Sequence, residues 1–165
     1  MSSTPYILPA SYPSNGPAQP GGPALLQSWL PLAFFTLILA LESQAALGAD
    51  HTSQPLHTFF QSIFGASINQ NWTNLHHILR KTGHFLGYGT LSLVTLRSLR
   101  QSLHQRLTTL HLHALAIAAT FLVASADELH QHFLPNRTGS LHDVLLDCAG
   151  AATLQLTLYL KTQVE

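Results

Sequence analysis

Leu110-His111-Leu112-His113-Ala114-Leu115-Ala116-Ile117-Ala118-Ala119-Thr120-Phe121-Leu122-Val123-Ala124-Ser125-Ala126 holds no Asp, Glu, Lys or Arg, and Asp127-Glu128 close it. A hydrocarbon layer about 30 Å thick is crossed by about 20 helical residues, and somewhat shorter spans are tolerated. The run therefore reads as a membrane-crossing helix, with helix continuing to His132. Pro135 disfavours helix through Phe133-Leu134, because the residue before a proline is pushed out of the α region.

Three further segments follow the same logic. Leu25–Leu41 is uncharged, is closed by Glu42 and carries Pro31 as a mild kink. Thr82–Leu96 is marginal in length and polarity, and inserts well only inside a bundle. Its Gly83-x-x-x-Gly87 pattern invites close approach of a neighbouring helix. Leu141–Leu160 is rich in Ala, Gly and Thr, and Ala149-Gly150-Ala151-Ala152 again favours tight contact. The fold class is all-α: an integral membrane bundle of about four transmembrane helices. A cleaved signal is the rival reading of the first segment, since Ala45-Ala46-Leu47-Gly48-Ala49 are small. No Lys or Arg precedes the run, so a signal's basic start is missing, and a retained helix is expected.

Composition agrees. Asp, Glu, Lys and Arg make up 8% of the 165 residues, against about 25% in soluble domains. Seven acids balance seven bases, so there is neither a basic patch for nucleic acid nor an acidic tail. The one cysteine, Cys148, allows no intrachain disulfide and reads as a small buried packing residue. Residues 1–24 hold six of the nine prolines. They cannot bury enough apolar surface to offset ordering and read as a disordered tail, leaving 25–165 as the membrane domain. Residues 42–80 are polar and mixed. His57–Phe64, closed by Gly65, is a short amphipathic stretch suited either to the membrane interface, as Trp72 is, or to an ordinary loop helix.

Basic residues orient the bundle. Arg97, Arg100 and Arg106 lie between the second and third segments without an acid, and Lys161 follows the fourth. The positive-inside rule makes both regions cytoplasmic, and four spans put the N- and C-termini there too. The protein is expected as a multi-pass protein of the cell membrane. Six acids (Glu42, Asp50, Asp127, Glu128, Asp143, Asp147) then gather on the outer side with Arg80, Lys81 and Arg137.

Helical spacing sharpens this cluster. His84 and Tyr88 share a face, as do Asp127 and Gln131, Glu128 and His132, and Asp143 and Asp147. Asp147 lies about 6 Å deeper than Asp143 and must point into the bundle, since a carboxylate facing lipid is costly. Lys81, His84 and Arg137 are the available partners, and Arg137 can grip a carboxylate or phosphate with two parallel hydrogen bonds. Arg137 with Asp143, and Lys81 with Asp127 or Glu128, would suffice for a purely structural lock. The cluster holds more groups than such pairing needs, which favours a site. His130-x-His132 with Glu128, His76-His77 and His142 matches no zinc pattern, so no metal and no cofactor is expected. His111 and His113 are expected to face headgroups. Walker, Rossmann and nucleophile-elbow motifs are missing.

The same residues carry a family resemblance. Lys81-Thr82-Gly83-His84-Phe85-Leu86-Gly87-Tyr88 resembles the K-x-x-H-F-x-x-Y signature of VanZ-like membrane proteins. Ser125–Gln131 resembles their S-D-E-x-x-Q segment, and Pro135–Val144 their P-x-R-x-G-s-x-x-D-v stretch. Asp147 and Gly150 match an N-x-x-G pattern, with Asp where Asn is common. The family is named for a component associated with low-level teicoplanin resistance. The resemblance thus implies a cell-envelope role, with Lys81, His84, Tyr88, Asp127, Glu128, Gln131, Arg137 and Asp143 at the matched positions.

Three functions are open at this point. The protein binds a polar or anionic envelope component, such as a lipid-linked phosphate or a peptidoglycan fragment. Lys81, Tyr88, Gln131, Arg137, Asp143 and Asp147 would hold it, and His84, Asp127 and Glu128 would orient it or move protons. It is instead a membrane enzyme acting on such a substrate, with Glu128 or His84 as general base. Or its charges only lock helix packing. Membrane lipids are partners in every case, and the oligomeric state is left open.

Overall fold

The computed structural model describes residues 22–42, 49–134 and 139–164. Most of the expected tail, Ala45–Gly48 and Arg137 lie outside the described residues, as do the side chains of Glu42 and Asp50. The described residues form five α-helices and a 3₁₀ segment, with no strand: α1 (Gly22–Glu42), α2 (Ala49–Phe64), the 3₁₀ segment Gly65–Asn71, α3 (Trp72–Leu103), α4 (Thr109–His132) and α5 (Leu141–Val164).

Helix starts and stops have local causes. Thr108 takes extended backbone and its hydroxyl accepts from His111 N, capping α4. Phe133 ends that helix ahead of Pro135. Gly65 ends α2 at φ 71°, a left-handed conformation that costs glycine nothing. α3 differs most from expectation. It begins at Trp72, well before Thr82, so the stretch through Arg80 is helix rather than polar loop. Trp72 and His76 have partners on α2 there, and a packed face outweighs composition.

Contacts fix the topology. Gly87 meets Leu39, while Ser98 Oγ donates to Ser28 O (2.9 Å) and Trp29 Nε1 donates to Ser102 Oγ (3.0 Å), so α1 runs antiparallel to α3. Tyr88 meets Asp127 near one end of the bundle and Arg100 meets His113 near the other, so α4 also opposes α3. α5 returns parallel to α3 and makes the most extensive contact with it. The close approach occurs where a Cβ on Gly150 would run into the Phe85 carbonyl oxygen, and at Gly89 against Leu154. The Gly83-x-x-x-Gly87 expectation is thus corrected. A Cβ on Gly83 would meet nothing within 4 Å, and one on Gly87 only an ordinary contact at 3.6 Å. Those two glycines lie off the face of α3 that meets α5.

The interior mixes aliphatic residues (Leu91, Leu96, Ala116, Ala124, Ala151) with Ser92, Thr95, Ser98, Thr120, Asp147 and Gln155. Large apolar side chains instead face outward on each long helix, among them Phe34, Leu86, Leu122 and Leu145. α4 is long and apolar enough to cross a membrane, with mean hydropathy 1.6, and among the described residues no other helix meets that test. α3 and α5 fall short because they carry the polar groups that face each other.

α2 docks through an aromatic contact. His57 and Phe60 lie against Trp72, Trp72 Nε1 donates to Ser53 Oγ (2.8 Å), and the Trp72 ring stacks on His76 at 5.5 Å. Burial, then the Arg80 and His77 charges, hold His76 below the ordinary imidazole value of 6.5. A base whose folded value is depressed stabilises docking fully above its unfolded value and progressively less below it. Trp72 fluorescence and the amide protection of α2, meaning exchange relative to the intrinsic rate at each pH, should therefore be unchanged from pH 8 to 7 and report loosening below about 6.5. The His76→Gln variant should remove that dependence. Undiminished protection of α2 at pH 5 would count against it.

Candidate functional site

The last turns of α4, the first turns of α5 and the 81–88 stretch of α3 beside them carry the candidate site residues. The spacing of polar positions along each helix puts these groups on its inward face, and the parallel contact of α3 with α5 sets which of them meet. Lys81 pairs with Asp143 across α3 and α5. Three residues further along α3, His84 Nδ1 lies 3.4 Å from Asp147 Oδ1. That separation is an ion-pair distance rather than a short hydrogen bond, and it carries charge attraction only when the imidazole is protonated. The His84 ring stacks on Tyr88 at 6.1 Å and 15°. Tyr88 Oη donates to Asp127 Oδ2 (2.9 Å), and Gln131 Nε2 donates to the same oxygen (2.9 Å). Glu128 Oε2 accepts from Ser140 N at 2.7 Å.

Depth differs as the helical rise requires. The Asp143 side chain keeps 25% of its exposure and that of Asp147 keeps none. Glu128 is also buried, at 5%. Its Oε1, and both Asp147 oxygens, lack a hydrogen bond among the described residues. Buried acceptors in that condition are costly, and three of them lie at this end among the described residues. Gly139 makes the Glu128 bond possible: a Cβ there would overlap the Glu128 carbonyl oxygen and crowd His132 Cβ at 3.1 Å.

The structure thus brings together Lys81, His84, Tyr88, Asp127, Glu128, Gln131, Asp143 and Asp147. The ninth expected residue, Arg137, lies outside the described residues. Lys81 meets Asp143 instead of Asp127 or Glu128, because the parallel α3–α5 contact sets the first turn of α5 beside the third turn of α3. The group does not line one cavity. Tyr88 and Asp127, with His130, line a cleft of about 300 Å³ between α1, α3 and α4 that is walled by Leu39, Val123 and Ala126. Lys81 borders a separate groove with Phe85 and Leu146. No three or more His, Cys, Asp or Glu converge as metal ligands among the described residues.

Sequence reasoning missed a second polar assembly. His113 is 4% exposed rather than facing headgroups, and only His111 is exposed. Arg100 can only donate, so its Nη2 donates to His113 Nε2 (3.1 Å). That fixes the tautomer: His113 Nδ1 donates to Gln155 Oε1 (2.6 Å), and Gln155 Nε2 donates to Ser92 O (2.8 Å). The available signal was a histidine and a glutamine, His113 and Gln155, each flanked by apolar residues within an expected span.

A family model described as VanZ/LLP1 matches residues 24–161, which is most of the chain. No curated protein and no solved structure matches.

Proposed function

The chain belongs to the VanZ/LLP1 family, and from that premise we propose that it is a multi-pass envelope protein whose polar end binds a donor-rich envelope component. The spans are 25–41, 82–96, 110–126 and 141–160, with both termini cytoplasmic and the polar end outside. Inward polar groups and outward Phe34, Leu86, Leu122 and Leu145 support this placement, because hydrocarbon accepts apolar surface and rejects unpaired charge.

One observation carries the site. Four carboxylates, on Asp127, Glu128, Asp143 and Asp147, share one end with Lys81 and His84, and several of their oxygens lack donors among the described residues. A structural lock needs matched pairs; a surplus of acceptors suits a ligand bearing hydroxyl, amide or amino groups. A peptidoglycan fragment has that chemistry. The cleft beside Tyr88 and Asp127 suits the apolar part of a lipid-linked form, and Arg137 would add a grip on its phosphate. His84, Asp127 and Glu128 then orient the ligand. The envelope role links the protein to glycopeptide, and specifically teicoplanin, resistance.

Glu128→Gln tests the reading. The amide oxygen still accepts from Ser140 N, so membrane abundance should stay near normal while the teicoplanin phenotype falls to that of cells lacking the protein. Arg137→Gln should do the same. The lock reading has its own support, since Lys81–Asp143 joins two helices. If it holds, Lys81→Asp and Asp143→Lys will each lose abundance, the double variant will recover it, and Glu128→Gln will keep the phenotype. Turnover of a lipid-linked substrate by the wild type, abolished in His84→Gln, would instead mark an enzyme.

A further inference from the structure

The opposite end of the bundle holds a cavity of about 570 Å³ bordered by Arg100 and Gln101 of α3, His104 just after it, Thr109 of α4, and Thr162 and Gln163 of α5. No acid borders it, and none occurs between Asp50 and Asp127 in sequence. The one acid after Asp147 is Glu165, which lies outside the described residues. Ion pairs among the described residues are confined to the other end. Among the described residues Arg100 therefore has no counter-ion there.

Its orientation is nevertheless set. One guanidinium nitrogen donates to His113, which is held by Gln155, which is held by the α3 backbone. That nitrogen's partner is a neutral acceptor, so the positive charge is positioned without being cancelled. A guanidinium has five N–H donors, and the remaining ones match the paired oxygens of a phosphate. His104, Gln101, Thr109, Thr162 and Gln163 supply further polar groups around the same space. The carbonyl of Arg100, at the C-terminal end of α3, is already taken by His104 N and Nδ1.

We propose that this cavity binds a phosphate group, with Arg100 as its principal contact. The spans proposed above put it at headgroup depth on the cytoplasmic face, where an anionic phospholipid presents that group. A free phosphate species has the same chemistry.

The test uses the full chain in nanodiscs of phosphatidylglycerol and phosphatidylcholine, followed by native mass spectrometry of retained lipid. Inorganic phosphate is titrated separately, with the melting temperature as readout. Wild type should retain phosphatidylglycerol over phosphatidylcholine by about fivefold per basic group engaged. Arg100→Gln should abolish the preference but also disturbs His113. Thr109→Glu avoids this: a carboxylate in the first turn of α4 favours the helix, so melting should hold or rise while the preference disappears. Retention of phosphatidylglycerol by Thr109→Glu and His104→Glu at the wild-type ratio would overturn the proposal. Phosphate-dependent stabilisation lost in Thr109→Glu, without lipid preference, supports the site and identifies free phosphate as the source.

Discussion

Gly150→Ala should destabilise the bundle by about 3 kcal/mol, at the upper end of what overpacking costs. The added Cβ would overlap the Phe85 carbonyl oxygen and lie 2.9 Å from its carbon and 3.1 Å from Phe85 Cα. All three are backbone atoms of a regular helix and cannot rotate aside, so α3 and α5 must separate along their most extensive contact. Separation also parts Lys81 from Asp143 and His84 from Asp147. Two other glycines calibrate the result. At Gly89 the first obstacle is Leu154 Cδ1 at 2.7 Å, the end of a flexible side chain, and Ala should cost only about 1 kcal/mol. At Gly83 nothing lies within 4 Å, so Ala should be neutral or stabilise by up to about 1 kcal/mol through helix propensity. Unfolding in mixed detergent–denaturant micelles measures all three. Equal stability of the Gly150 and Gly83 variants would refute the contact.

His113→Leu should cost about 2 kcal/mol, and Gln155→Leu about as much. A buried polar group left without its partner costs about 1–3 kcal/mol, while hydrogen bonds between membrane helices are worth somewhat less, about 0.6 kcal/mol on average. The larger figure decides here because each single change orphans a neighbour at the centre of a packed network. His113→Leu leaves Gln155 Oε1, in a residue only 1% exposed, without its donor. Gln155→Leu leaves His113 Nδ1–H without an acceptor. The double Leu variant removes both ends of that bond, so its cost should fall short of the sum by more than about 1 kcal/mol. Strict additivity would mean that the two side chains do not interact. Arg100 also loses its anchor in His113→Leu, so any anion binding at that end should weaken in step with the loss of stability.

Much of this arrangement was legible in the chain. The α4 run from Leu110 to Ala126, the stop before Pro135 and the gathering of Lys81, His84, Asp127, Glu128, Asp143 and Asp147 at one end all followed from local patterns. So did the deeper burial of Asp147 relative to Asp143, which helical rise alone dictates. The start of α3 was not legible, because Trp72–Arg80 is polar and its helical state depends on the docking of α2 against Trp72 and His76. His113 was misread for a related reason: its partner, Gln155, is distant in sequence, and a histidine near a helix end looks the same whether it meets a headgroup or a glutamine.

Sequence by itself determined the apolar helical runs and the end at which the acids collect, since apolar run length, caps and the order of charged residues are properties of neighbouring positions. Tertiary structure alone decided which partner each group received, and that Gly150 and Gly89, rather than Gly83 and Gly87, sit where α3 and α5 come close. Partner choice depends on the register of two parallel helices, and that register is set where the α5 backbone comes against Phe85, a contact between residues far apart in the chain.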